Sequence, residues 1–193
     1  ALPSGFTVKQ GTVFQNYSAI IGNQKPTAGF TKSNAYLFLW DGVAGTSYNF
    51  SYPIDDNYVD VVYNNNGTLY LITHGQGNTT KIKRFTGTGF ETLKERSITG
   101  SYPFTGAIDK YYNYLIFGIG TEVFTYGQLS AKYPFGLHQN FVLANNIQML
   151  KNLFQRYLYV SSGVGASTFT ISRLNLSRYY TPADFRTKLY ALP

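Results

Sequence analysis

The sequence predicts an all-β fold assembled from repeated hairpins. Three observations carry this: the choice of aromatic residues, a strand-turn-strand pattern that recurs along the chain, and a Tyr-Pro dipeptide that follows most copies of it. The first is compositional. Among 193 residues stand 18 Tyr and 15 Phe against one Met and one Trp, a bias that suits pleated, half-buried surfaces better than helices. At this length a chain can bury a core of its own, and a hydrophobic content of 44% says that it folds. Charged residues make up only 13%, against roughly 25% in an ordinary soluble domain. The polar surface must therefore be built from Asn, Ser, Thr, Gly and Tyr.

The recurring pattern is an aromatic-aliphatic strand, a glycine turn, and Thr or Ser opening a second strand. Its copies are Tyr36–Trp40 before Asp41-Gly42-Val43-Ala44-Gly45-Thr46, Leu69–Thr73 before His74-Gly75-Gln76-Gly77-Asn78-Thr79, Tyr114–Phe117 before Gly118-Ile119-Gly120-Thr121, and Tyr157–Val160 before the Ser161–Ser167 turn. Each reads as a β-hairpin, because glycine supplies the positive φ of a tight turn and the flanks are β-branched or aromatic. Counted from Leu37, Leu71, Leu115 and Leu158, the spacings are 34, 44 and 43. The first interval is short.

Tyr52-Pro53, Tyr102-Pro103 and Tyr133-Pro134 follow the first three hairpins, and Tyr180-Thr181-Pro182 is the weaker fourth mark. Proline cannot donate to a sheet ladder, so these positions are expected at connections between sheets or at sheet edges. Val59–Tyr63 leads through Asn64-Asn65-Asn66-Gly67, a strong turn signal, into the second hairpin, and Asn140 to Met149 is expected to do the same before the fourth. Lys81–Phe85, Glu122–Tyr126 and Thr168–Leu174 are the strands that leave the hairpins, and Phe90–Ile98 adds a fourth strand to the second unit. The Lys81-Ile82-Lys83 alternation reads as a strand with one wet face.

A period near 43 residues with about four strands per unit is the mark of a β-propeller or of an arc of propeller blades, since such a sheet cannot bury both faces until a neighbour covers it. A β-sandwich is the alternative. The units are expected over about 12–54, 55–103, 104–140 and 141–193, in one domain or a piece of a longer chain. A short C-terminal helix is expected from Thr181 as N-cap, with Pro182 at its first position and Asp184 in its first turn, through Leu189.

Without cysteine the chain can hold no disulfide, thiolate metal site or cysteine nucleophile. The net charge of +7 comes from 16 basic residues against nine acidic ones, a mild field made by a shortage of carboxylates. No apolar run is long enough for a membrane-spanning helix. The chain opens Ala-Leu-Pro with no visible signal peptide, which fits a processed or cut N-terminus.

Chemistry is scarce, and no catalytic, cofactor-binding or metal set is predicted. Asp55, Asp56 and Asp60 are the densest acids, to be read as a polar loop before a strand rather than as a calcium site with Asn57 or Asn64. His74 and His138 read as separate loop histidines. Trp40, Tyr48, Tyr112 and Tyr159 are the candidate contacts to a glycan or a protein partner. Lys81, Lys83 and Arg84 are the candidate basic contacts, to be read as a solvated strand rather than as a phosphate-binding face.

The Tyr-Leu-x-x-x-Gly-x-Gly hairpins, the strand Lys81–Phe85 with Thr86–Leu93 after it, and the phrase Tyr114–Phe124 resemble the propeller repeats in structural proteins of tailed bacteriophages, of the tail nozzle, hub and fibre type. The likeness covers roughly residues 35 to 175 and brings no catalytic residue with it. It implies a non-enzymatic structural or interaction propeller of a virion or extracellular assembly, needing no cofactor, with other structural chains as partners in a homo-oligomer or larger assembly. A glycan-binding or glycan-cleaving host-recognition propeller is the alternative. It requires aromatic rings around a concavity with Asp and Asn at its rim. A nucleic-acid-contacting module is the third reading, and it requires the basic residues to share an open face.

Overall fold

The computed structural model describes residues 2–24, 34–75, 77–98, 106–111, 114–153, 157–163, 169–175 and 189–191. The β-branched and aromatic runs within them become 16 strands, and no described residue is helical. The strands make four sheets, and each is a four-stranded antiparallel meander in chain order. The first sheet holds β1 (Phe6–Phe14), β2 (Tyr17–Gln24), β3 (Asn34–Trp40) and β4 (Phe50–Ile54); the second holds β5 (Tyr58–Asn65), β6 (Thr68–Gly75), β7 (Thr79–Phe85) and β8 (Phe90–Ser97). In the third are β9 (Gly106–Tyr111), β10 (Tyr114–Ile119), β11 (Glu122–Gly127) and β12 (Gly136–Val142), and in the fourth β13 (Ile147–Leu153), β14 (Tyr157–Gly163), β15 (Phe169–Asn175) and β16 (Leu189–Ala191). The chain divides after Thr99 into two compact units, so each unit contains two sheets.

In the first unit the alternation along β3 puts Ala35, Leu37 and Leu39 on one face and Tyr36, Phe38 and Trp40 on the other. The first of these faces, with Ala19 and Ile21, packs on Val59, Val62, Leu69 and Leu71 of the second sheet, and Phe14 and Phe85 join the same core. Burying one such side chain is worth roughly 1.5–3 kcal/mol. A lone hairpin is marginal in water, so covering one meander with the next is what makes either stable. β5 lies against β1 and β2, and side chains satisfy the strand edges that meet there. The Val59 N–H donates to Asn23 Oδ1 (2.9 Å), the Val62 N–H to Gln10 Oε1 (3.0 Å), and Asn64 Nδ2 to the Val13 carbonyl (2.6 Å).

The second unit repeats the plan with different residues. β13 lies against β9 and β10. Ala107, Ile116, Val123 and Phe141 of the third sheet meet Ile147, Leu150, Leu158 and Val160 of the fourth. Here the Asn152 N–H donates to Asp109 Oδ2 (2.5 Å) and Asn152 Nδ2 to the Lys110 carbonyl (2.8 Å). Gly118 faces this interface, where a Cβ would stand 2.8 Å from Ile147 Cγ2 and 3.2 Å from Leu150 Cδ1. The first strands of three sheets also share one irregularity, an extra residue near the start: Lys9 in β1, Asp60 in β5 and Gln148 in β13. Such bulges turn a side chain out of the ladder's alternation.

The four expected hairpins exist as β3–β4, β6–β7, β10–β11 and β14–β15. The first is out of phase with the others, which explains the short first interval. Tyr36–Trp40 belongs to the third strand of its sheet, whereas the other copies belong to second strands, and the true counterpart is β2, opening at Tyr17. The sequence hid this because Ser18 and Ala19 stand in β2 where the other copies carry larger side chains. The expected unit boundaries at 12 and 140 likewise run through β1 and β12. Asn140 to Met149 is two strand ends joined by a connection between sheets, because the polar Asn145 and Asn146 interrupt the apolar pattern. Asn66 and Gly67 form the expected tight turn, with φ of 51° and 80°, the pair of positive values that a two-residue hairpin loop requires.

Pro53 lies on the edge strand β4, as a residue without an N–H should, and Pro134 in the connection from β11 to the edge strand β12. Tyr102-Pro103 and Tyr180 to Pro182 fall outside the described residues, as does most of the helix expected from Thr181. Its last residue, Leu189, is in the strand β16 and pairs with Leu174, so the helix does not extend to that point.

Gly118→Ala would push a methyl group into the interface between the third and fourth sheets. The expected cost is about 1–3 kcal/mol of stability, the usual penalty for overpacking. A fall in the melting temperature followed by circular dichroism checks it, with Gly89→Ala, where a Cβ meets nothing within 4 Å, as the silent comparison.

Candidate functional site

The densest polar chemistry lies in the first unit, where the connection from β4 to β5 crosses the ends of β6 and β7. Two backbone bonds hold that connection in place: the Ala35 N–H donates to the Asp56 carbonyl (3.3 Å) and the Asn57 N–H to the His74 carbonyl (2.9 Å). Asp56 is thereby turned inward, with 1% of its side chain exposed. Lys81 Nζ stands 2.8 Å from its Oδ1 and Lys83 Nζ 2.9 Å from its Oδ2. Thr73 Oγ1 donates to the same Oδ2 at 2.7 Å. Gly75 makes this clamp possible, since a Cβ there would lie 2.9 Å from Asp56 Oδ1 and 3.3 Å from Lys81 Nζ.

Burial alone would raise the Asp56 pKa. Hydrogen bonds from Lys81, Lys83 and Thr73, with the charge of Lys83, outweigh it and hold the carboxyl below the ordinary carboxylate range. Burial works against the charge on Lys81 as well, but its bond to Asp56 and the charges of Asp56, Glu95 and Asp55 prevail and push it up. Lys81 and Lys83 do share a face, as their alternation requires. That face is covered by Asp56 and is not solvated.

Beside the clamp opens a polar cavity of about 440 Å³, lined by Asn34, Ile54, Asp55, Asp56, Asn57, Thr79, Lys81 and Glu95. Asp60, meanwhile, belongs to a separate cluster. Its Oδ2 meets His74 Nε2 at 2.5 Å and its Oδ1 meets Lys9 Nζ at 3.6 Å, so the extra residues of β1 and β5 face each other. His74 Nδ1 is 3.0 Å from Thr80 Oγ1. A hydroxyl, an imidazole and a carboxylate in line are the parts of a nucleophilic triad, but Thr80 is 0% exposed and His74 2%. No substrate reaches that hydroxyl, and the line serves as a latch between β5, β6 and β7. His74 is thus a buried strand residue, and His138 is also on a strand, β12, with its Nε2 2.8 Å from the Pro134 carbonyl. Both differ from the loop positions expected. Asp56 and Asp60 go to different partners while Asp55 stays on the cavity wall, and among the described residues no group of three or more His, Asp and Glu side chains could hold a metal ion.

Of the candidate contacts, Trp40 and Tyr48 come together. With Leu2, Ile20 and Thr46 they line an apolar cleft of about 170 Å³ on the outer face of the first sheet. Tyr48 reaches it by packing at a tilt against Phe38, with ring centroids 4.4 Å apart. The polar groups around the cleft are already bonded to one another. Trp40 Nε1 donates to Thr46 Oγ1 (3.1 Å), Thr46 Oγ1 to the Val43 carbonyl (2.7 Å), and Asn49 Nδ2 to Asp41 Oδ2 (2.9 Å). Bonds from the Val43 N–H and from Asn49 hold the Asp41 carboxyl below its ordinary range.

Tyr159 lies in the second unit on β14, half-buried, opposite Arg173 and edge-on to Tyr157 at 6.5 Å. Tyr112 falls outside the described residues. Arg84 pairs with Glu91 across the β7–β8 ladder. Sequence reasoning missed Asn34, Thr79 and Glu95, which are far apart in the chain and carry no motif. The one available signal was Asp55-Asp56-Asn57 just before a strand whose neighbour two places on bears paired lysines. Compared with protein-family models and with curated proteins, the chain matches none.

Asp56→Ala would leave Lys83 buried with no counter-charge, at an expected cost of about 3–5 kcal/mol. Glu91→Gln, in the exposed pair with Arg84, should cost under about 1 kcal/mol, and urea unfolding compares the two. Asp56, held low, contributes fully above its ordinary 3.8 and loses that contribution as pH falls through its folded-state value; Lys81, held high, contributes fully below 10.5 and loses it as pH rises through its own. Melting temperature against pH should therefore show an acid fall that Asp56→Asn makes shallower.

Proposed function

We propose that this chain is a non-enzymatic interaction module of β-propeller type, four blades whose work is to hold neighbouring protein chains in a virion, such as a bacteriophage tail, or in an extracellular assembly. One observation carries the reading: a single meander is used four times, yet apolar side chains are left facing outward on its strands. Val8 and Val13 of β1 are 52% and 69% exposed, and Met149 and Leu153 of β13 are 47% and 38% exposed. Repetition of one sheet, packed first strand against first strand within each unit, is how blade arrays are built. Outward apolar residues suit a surface that another chain covers.

The polar groups fit this reading. Asp56, Asp60 and Asp109 are engaged in holding the sheets together, which leaves them poorly placed for acid–base work on a substrate. The Trp40–Tyr48 cleft, with its polar atoms bonded internally, suits an apolar side chain of a partner seated beside a rigid aromatic anchor. Lys81 and Lys83, bound to Asp56, favour this over the nucleic-acid reading.

Sedimentation at rising protein concentration tests the proposal. The expected result is association that buries more than about 1,000 Å², weakened at least about tenfold by Val13→Lys combined with Met149→Lys, with the melting temperature unchanged. Trp40 is the sole Trp, so its emission reports on the cleft as partners engage. A chain that stays monomeric with unshifted emission, alone and with candidate assembly partners, overturns the reading.

A further inference from the structure

We propose that the polar cavity between the first and second sheets binds an uncharged, hydroxyl-rich ligand, a mono- or disaccharide. Its volume of about 440 Å³ falls within the roughly 300–1,000 Å³ of small-molecule sites. The charges on its wall decide the ligand class. Lys81 stands there already bound to Asp56, while the carboxylates of Asp55 and Glu95 lie close enough to act on its charge. A cationic ligand would meet the Lys81 ammonium, whose counter-ion Asp56 is shared with Lys83, and an anionic one would meet Asp55 and Glu95. A neutral ligand carrying both donors and acceptors meets no such conflict.

The wall also has hydrogen-bonding groups to offer. Among the described residues, the side chains of Asn34, Asp55 and Asn57 make no hydrogen bond that a ligand would have to break. The two amides offer both donors and acceptors, and the carboxylate offers acceptors, a set that pairs with neighbouring ring hydroxyls. Gly75 adds room where polar atoms converge, since a Cβ there would lie 2.7 Å from Thr79 Oγ1, 2.9 Å from Asp56 Oδ1 and 3.3 Å from Lys81 Nζ. The Trp40–Tyr48 cleft differs on this point, because its polar groups are bonded to one another. This inference stands apart from the propeller reading and holds whether or not the chain assembles.

Titration of the nitrogen-15-labelled full chain, followed by amide shifts, tests it. The probes are glucose, galactose, N-acetylglucosamine and their disaccharides, with putrescine and inorganic phosphate as charged comparators. The expected result is a saturable shift of the Asn57, Thr79, Lys81 and Glu95 amides with at least one neutral sugar, at a dissociation constant on the order of 1 mM. Asp55→Ala and Glu95→Ala alter exposed residues, so the fold should be kept. Each should weaken binding about tenfold, the loss of one charge-assisted hydrogen bond. Silence with every sugar at about 100 mM, shifts confined to Trp40 and Tyr48, or binding of putrescine or phosphate without any sugar would each overturn the proposal.

Discussion

A four-stranded sheet whose strands are apolar on both sides cannot stand alone in water, and this constraint organises the protein. β6 has Leu69 and Leu71 on one face and Tyr70 and Ile72 on the other, all buried. β10 does the same with Ile116 against Leu115 and Phe117. Strands of this kind give up the wet face that an isolated antiparallel sheet would keep. For one face of each strand, that of Leu69 and Leu71 in the first unit and of Ile116 in the second, the answer is a second meander laid over the first, with aliphatic side chains filling the space between them.

Covering one sheet with another creates a second problem, because strand edges and linker carbonyls go into the interior with the side chains. Buried backbone groups must be paired, and the two units solve this with different chemistry in equivalent places. Asn23 and Gln10 accept from the N–H groups of β5, and Asp109 accepts from β13. The clamp of Asp56 by two lysines belongs to the same class of device. An ion pair at such a site adds little net stability over an apolar packing, yet removing one partner is costly. Its effect is to fix the connection from β4 to β5 at one position across the ends of β6 and β7. Fixing that connection is also what shapes the polar cavity beside it.

The two clefts of the first unit show how hydrogen bonding sorts surfaces with similar residues. Around Trp40 and Tyr48 the Asp, Asn and Thr side chains are turned toward one another, and what remains is an apolar recess. Around Asp55 and Asn57 the connection from β4 to β5 leaves amide and carboxylate groups unbonded to one another, and what remains is polar. The residue types alone would have placed sugar chemistry at the tryptophan.

Local chemistry was legible from the chain by itself: strand character from Tyr, Phe and β-branched runs, the Asn66-Gly67 turn, and the pairing of Lys81 with Lys83 on one face. These depend on neighbours within a few residues, through backbone preference and the two-residue period of a strand. Tertiary structure decided everything that required knowing which strand lies beside which. It set the phase of the first sheet, where Ser18 and Ala19 after Tyr17 left β2 without the large side chains of the other copies. It turned Lys81 and Lys83 inward, since only the folded path of the β4–β5 connection brings a buried carboxylate to them. It gathered Asn34, Asn57, Thr79 and Glu95 around one cavity, because packing and charge act through space and leave no spacing in the sequence to read.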